Sequence, residues 1–181
     1  MAQNATIFKA DLGISDMDRH YYASHSLTLA RHPSETDERM MVRLLAFVLY
    51  ASDSLAFGKG ISSDDEPDLW QKDLTGAVER WIEVGQPEEK RLRRACGVSR
   101  DVIVLPYSGN GAELWWEQNR RAIAKLDKVS VINIPGETAA ALGAMARRSM
   151  QLQATVQDGE VWLTDNEHSL QVTLQTLKAP R

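Results

Sequence analysis

Residues 5–14 and 21–30 alternate apolar and polar positions, with Leu27 and Leu29 on one face and Ser26 and Thr28 on the other. A period of two is the mark of a strand with one covered face. The polar stretch at residues 16–18 supplies a turn, so an antiparallel pair is expected. At His32-Pro33-Ser34 the pattern changes: Ser34 with Asp37 resembles a capping box, and Met40, Met41, Leu44, Leu45 and Val48 follow at helical spacing. This predicts a long core helix over about residues 34–50.

Residues 55–61 form a short strand interrupted by Gly58 and Gly60, and residues 68–72 and 78–85 form two more, folded together by Thr75-Gly76. Pro87 suits a first helical turn, Glu88 and Glu89 complement the positive end of the helix dipole, and Leu92, Ala95 and Cys96 make the apolar stripe before Gly97 stops it. The run Val102-Ile103-Val104-Leu105 suits a strand covered on both faces. From residue 34 the order is therefore helix, three strands, helix, strand.

Asn110 with Glu113 opens another helix carrying Leu114, Trp115 and Trp116, residues 129–134 form a strand, and Pro135-Gly136 leads into an Ala-rich helix to about residue 148. Asp158-Gly159 is a two-residue hairpin signal between residues 152–156 and 161–163, and residues 170–174 alternate as one further strand. The expected class is α/β (α+β): a mixed central sheet flanked by helices, with strands from both termini forming a second antiparallel sheet around it. One domain over residues 1–181 is expected.

Composition changes this picture little. The 43% hydrophobic and 25% charged residues are ordinary for a folded chain, and a formal net charge of −4 argues against a strongly basic nucleic-acid coating while leaving room for a local patch. One cysteine, Cys96, excludes an internal disulfide framework and falls on an apolar stripe. No apolar run is long enough to span a membrane and no signal peptide is evident, so a cytoplasmic protein is expected. His25 shares a face with Leu27 and Leu29, which predicts a partly buried, hydrogen-bonded ring; His20 lies near the turn and should be solvated.

The candidate chemistry lies between Asp64 and Gly97. The hairpin turned at Thr75-Gly76 sets Asp68 beside Glu83. Close carboxylates repel unless a cation lies between them, and hard ions such as Mg²⁺ or Mn²⁺ take oxygen ligands, so Asp68 and Glu83 are candidate metal ligands. Lys90, Arg91, Arg93 and Arg94 cover much of the following helix, a face that is either solvated or within reach of phosphates. The plainer reading makes Asp68 and Glu83 salt-bridged carboxylates with Lys72, Arg80 or Arg91 as partners.

The segments LTLARHPSETDERMMVRLLAF, DDEPDLW, WIEVGQP and QATVQDGEVWL resemble the YaeQ family of bacterial proteins, over essentially the whole chain. That resemblance implies a fold related to the PD-(D/E)XK nuclease-like superfamily, with a restriction-endonuclease-like core over about residues 34–107, Pro67-Asp68 as its Pro-Asp and Glu83 as its second acid. It also implies Glu38 or Glu35 as the acid on the first core helix. The implied activity is Mg²⁺-dependent phosphodiester hydrolysis, with nucleic acid as partner. The lysine such a motif carries two residues after the second acid is here Gly85. Gln86, if the strand ends or bulges at Gly85, or Lys90, one turn into the next helix, would have to orient the water. The alternative is a catalytically inactive module that binds nucleic acid or protein, with a transcription-related role suggested for the family. Trp70, Trp81, Trp115 and Trp116 would then be stacking surfaces if exposed, or core if not.

Overall fold

The computed structural model describes residues 4–180. In chain order it contains β1 (Thr6–Asp16), β2 (Tyr21–Arg31), α1 (Asp37–Tyr50), β3 (Leu55–Phe57), a 3-10 turn (Gly60–Ser62), β4 (Leu69–Lys72), β5 (Val78–Val84), α2 (Glu89–Val98) and β6 (Ser99–Leu105). There follow α3 (Asn110–Ala124), β7 (Val129–Asn133), α4 (Gly136–Ala144), β8 (Ser149–Gln157), β9 (Glu160–Thr164), β10 (Ser169–Val172) and β11 (Gln175–Lys178). The helix, three strands, helix, strand order appears as α1 to β6. Two mixed sheets and four helices make an α+β fold.

The first hairpin forms as its alternation requires, with Thr6 opposite Arg31 and Asp16 opposite Tyr21. Phe8, Ala10, Leu12 and Ile14 turn inward. His25 is half-buried and pairs with the Tyr21 hydroxyl at 2.7 Å, while His20 is exposed in the turn. The strands of both termini do share a sheet, in the order β10-β9-β8-β1-β2. It is mixed and not antiparallel, because β1 runs parallel to β8 with Lys9 opposite Ser149. Turn signals reveal local hairpins only, and this pairing joins strands from opposite ends of the chain. The β8–β9 turn has positive φ at both Asp158 (52°) and Gly159 (77°), matching the twist of the strands it joins.

The second sheet has the order β11-β7-β6-β5-β4-β3. β5, β6 and β7 run parallel through the crossovers α2 and α3, and β4 and β3 return antiparallel. Between the sheets lies α1, with every residue from Met40 to Val48 buried. A helix buried all round is the middle layer of the molecule, and its cap differs from the expected one. Thr36 accepts the Arg39 N–H at 3.1 Å, whereas the Ser34 hydroxyl is engaged with His32 Nδ1 at 2.7 Å.

β6 shows what covering both faces means: Ile103 and Leu105 join the core around α1, and Val102 and Val104 join a second core under α2 and α3. Trp81 and Trp115 are buried in that second core, and Trp70 and Trp116 pack half-buried against it, so these four tryptophans build core. Cys96 is half-buried there too, and burial pushes its thiol pKa up.

Some boundaries move. The strand expected over 55–61 stops at Phe57; the backbone then leaves the ladder, with the Gly58 N–H donating to Asp68 O at 2.9 Å and the Gly60 N–H to Pro67 O at 3.0 Å. α2 starts at Glu89 and runs through Gly97 to Val98, and α4 ends at Ala144 because β8 begins at Ser149. β11, an unexpected strand, crosses to the second sheet and pairs with β7. Among the described residues no helix is long and apolar enough to cross a membrane.

Candidate functional site

β4 and β5 pair with Leu69 opposite Ile82, and the Asp68 N–H donates to Ile82 O at 3.1 Å, so one step further Asp68 stands opposite Glu83. Both acids are buried, Asp68 to 1% exposure and Glu83 to 5%. Pro67 sits before the strand, where no ladder donor is needed. Gly60 packs so closely that a Cβ there would collide with Asp68 Oδ1, and its φ of +49° lies in the left-handed region that glycine tolerates.

Asp68 is compensated from α1. Its Oδ1 accepts from Arg39 Nη2 at 2.8 Å and its Oδ2 from the Val84 N–H at 2.7 Å. The same Arg39 Nη2 donates to Val84 O at 3.1 Å, and Nη1 donates to Glu35 Oε2 at 2.7 Å. Glu35 is also held by Arg43, through Nε at 2.8 Å and Nη2 at 2.7 Å. Burial works against the Arg39 charge, but Asp68 and Glu35 outweigh it and hold the guanidinium more firmly protonated than a free arginine.

Glu83 is compensated from the other side. Its Oε1 accepts from Trp81 Nε1 at 2.8 Å and from Arg91 Nε at 2.6 Å. Arg91 is itself anchored to Asp64 O at 3.0 Å and Glu66 O at 2.9 Å. Burial first and the neighbouring Asp68 charge second raise the Glu83 pKa above its ordinary value, and Arg91 and Trp81 offset only part of that.

The structure thus brings Asp68 and Glu83 together. It also ends β5 at Val84, with Gly85 at φ +108°, as Gln86 required. Gln86 lines a cleft of about 230 Å³ with Arg39, Glu83, Val84 and Arg91, and its Nε2 is shielded from solvent without a hydrogen-bond partner among the described residues. Lys90 does not reach this cleft: it is exposed on α2. Nor does Glu38, which is exposed and lies against α4, where a Cβ on Gly143 would meet its Cγ at 2.7 Å. Glu35 is the acid of this region that joins Arg39, in the neighbouring cleft lined by Asp68, because it precedes the first helical residue and turns inward. Of the other expected partners, Arg91 does bridge Glu83, while Lys72 lies over the Trp70 ring and Arg80 pairs with Asp101.

Arg39 and Arg43 are the residues that sequence reasoning missed. Their signal was the spacing Glu35, Arg39, Arg43, a charged line every four residues beside the apolar stripe of α1. Arg39 also decides how the cluster stands toward a metal. Two carboxylates and a carbonyl are the hard oxygen donors that Mg²⁺ or Mn²⁺ prefers. Here Glu35, Asp68 and the Val84 carbonyl all converge on one guanidinium. Among the described residues no group of three or more His, Cys, Asp or Glu side chains could hold a metal ion. In this arrangement the residues do not fit a divalent cation, since Arg39 already supplies the positive charge between them.

The family model for the YaeQ protein matches residues 1–174. The chain belongs to the YaeQ family. The uncharacterized protein YaeQ of Escherichia coli (strain K12) is 43% identical over 180 residues, 99% of each chain, and its Salmonella typhi counterpart is 42% identical over the same length and share. Among solved structures, the YaeQ protein from Xanthomonas axonopodis pv. citri is 50% identical with a TM-score of 0.94, over 97% of this chain and 99% of that one. The YaeQ protein from Pseudomonas syringae is 38% identical, also with a TM-score of 0.94, over 98% of each chain. Within this YaeQ family member, the chemistry rests on the site itself.

Proposed function

We propose that the chain is a binding module on a PD-(D/E)XK nuclease-like frame that does not turn over phosphodiesters. The element order from α1 to β6 and the placing of Pro67-Asp68 opposite Glu83 support the frame. The observation that carries the loss of turnover is Arg39, whose Nη2 lies 2.8 Å from Asp68 Oδ1 and 3.1 Å from Val84 O. Phosphodiester hydrolysis of this kind needs a cation that polarises the phosphoryl oxygen and lowers the pKa of an attacking water. A guanidinium donates hydrogen bonds but stays protonated and does not take water as a ligand. The other parts are also out of place: the lysine position is Gly85 at a positive φ, Gln86 is neutral, and Lys90 lies outside the cleft.

The test is incubation of the intact chain with end-labelled single- and double-stranded DNA and RNA in Mg²⁺ and in Mn²⁺. No cleavage above a buffer control is expected, and calorimetry with Mn²⁺ should show no saturable binding. A second reading, a Mg²⁺- or Mn²⁺-dependent phosphodiesterase, is favoured by the burial of Asp68 and Glu83 on paired strands and requires Arg39 to withdraw. Cleavage that disappears in both Asp68→Ala and Glu83→Ala would establish it.

A further inference from the structure

Among the described residues each sheet ends in two edge strands, and most of these edges are blunt. β3 has 3 residues, β10 has 4, and β11 has 4 with a register shift between Thr176 and Lys178. β2, the remaining edge, has 11. Edge strands are ordinarily guarded by shortness, bulges, proline or charge, because their free N–H and C=O groups pair with any strand that reaches them. From Tyr21 to Ala30 β2 has no Lys, Arg, Asp, Glu or Pro, and its register with β1 is unbroken.

Two hydrogen bonds fix which way its free groups point. The Lys9 N–H donates to Arg148 O at 2.9 Å, beside β8, so along β1 the alternate residues Phe8, Ala10, Leu12 and Ile14 are the ones that bond to β2. They stand opposite Leu29, Leu27, His25 and Ala23. Tyr22, Ser24, Ser26, Thr28 and Ala30 therefore turn their backbone groups outward. Arg43 Nη2 meets one of these groups from outside the sheet, donating to Ala30 O at 3.1 Å.

Apart from Arg43, no described residue bonds to the backbone of this edge. Beside Thr28 and Ala30 the edge opens on a cleft of about 310 Å³, whose far wall is residues 57–62. Toward its other end Tyr22 is 61% exposed. Tyr21, Ala23 and His25 are only half-buried there, on the same face as the buried Leu27 and Leu29.

A second copy of the same strand fits this edge. A strand pairs antiparallel with itself about a two-fold axis, the commonest symmetry of soluble oligomers. Because Arg43 already occupies Ala30 O, the free span runs from Tyr22 to Thr28 and is centred on His25. A two-fold there sets Ser24 opposite Ser26 of the second copy and Tyr22 opposite Thr28 of the second copy, each pair exchanging both backbone hydrogen bonds. Hydroxyl then meets hydroxyl on the outer face, and Ala23 meets Leu27 on the inner face. Two chains of net charge −4 thus meet along a stretch without Lys, Arg, Asp or Glu, and no acid or base is brought opposite its like.

We infer that the chain forms a two-fold dimer through antiparallel β2–β2 pairing, which joins two 5-stranded sheets into one. Asp68 and Glu83 belong to the other sheet, so the dimer holds whether or not they turn over a substrate. Sedimentation velocity on a dilution series of the intact chain should show the 20.3 kDa monomer giving way to a dimer in the micromolar range, as suits a contact smaller than a standard interface. Hydrogen exchange on the same samples should protect the amides of Tyr22, Ser24, Ser26 and Thr28 in the concentrated sample alone, since β1 does not bond them. The double variant Ser24→Lys with Ser26→Lys, both exposed positions, puts lysine opposite lysine on either side of the axis and should weaken the dimer about tenfold or more. Ser169→Lys, on the edge strand β10, should leave it unchanged. A monomer at every concentration up to about 1 mM overturns the inference. So does a dimer that the double variant leaves intact, or one in which those four amides exchange as fast as in the dilute sample. The exchange measurement uses the intact chain alone and decides the matter even where the variant does not fold.

Discussion

Asp68 and Glu83 stand opposite one another, and their charges are answered in different ways. Asp68 is met inside the molecule by Arg39, whose side chain is 14% exposed and which also binds Glu35 and a strand carbonyl. Glu83 is met at the rim by Arg91, whose side chain is 23% exposed and whose other bonds go to backbone oxygens of the 58–66 segment. The inner pair belongs to the packing of α1 against the sheet, and the outer pair belongs to a surface segment. A buried charge that loses its partner is expensive, whereas a rim charge recovers part of its hydration.

The sharpest way to break this comparison is Arg39→Ala. It leaves Asp68 buried with the Val84 N–H as its remaining donor and should cost about 3–5 kcal/mol in urea unfolding. A loss under about 1 kcal/mol would mean that Asp68 does not depend on Arg39. Arg91→Ala should cost less, about 1.5–2 kcal/mol, because solvent reaches the vacated rim. Equal losses in the two variants would erase the distinction between inner and outer pairs.

Gly60→Ala strikes the inner side without removing a charge. A left-handed φ and the collision with Asp68 Oδ1 should cost about 1–2 kcal/mol and broaden the Arg39 side-chain NMR signals. The smallest effect concerns pH. The Glu83 pKa is raised in the folded chain above its ordinary 4.5, so the folded state holds this proton more tightly than the unfolded state does. The resulting stability is present below 4.5 and is lost as pH rises through the folded value. In Glu83→Gln that decline should be missing, so the variant should gain on the intact chain in urea midpoint as pH increases above 4.5. Parallel pH profiles would show that Glu83 carries no such shift.

The elements and one half of the site could be read in advance from local patterns. Period two gave β1, β2 and β5, a two-residue turn gave the β8–β9 hairpin, and the Thr75-Gly76 turn brought Asp68 to Glu83. The departure at Gly85 was likewise legible, since Gln86 leaves the β5 pattern only if the strand ends there. What stayed hidden depends on contacts between distant segments. Arg39 lies 29 residues from Asp68 and 45 from Val84, and the four-residue spacing with Glu35 and Arg43 marks a charged line on α1 without telling which strand end it meets. Glu38 and Glu35 differ by less than one turn, yet only the acid before the helix enters the cluster, and the choice turns on a cap at Thr36 where Ser34 offered an equal sequence signal. The β1–β8 pairing carried no signal at all, because a parallel pair has no turn of its own.

That pairing sets an order of events during synthesis. The β1–β2 hairpin leaves the ribosome early, but Lys9 waits for Ser149 before β1 gains its second neighbour. Until then one edge of β1 offers free N–H and C=O groups over much of its length, and the apolar residues of α1 lack the α4 and β8 side chains that later enclose them. Chaperone occupancy on stalled nascent chains should therefore persist until β8 has emerged, then fall. The long-range register that fixes the finished fold also leaves its first-made strand open at one edge until most of the chain has been made.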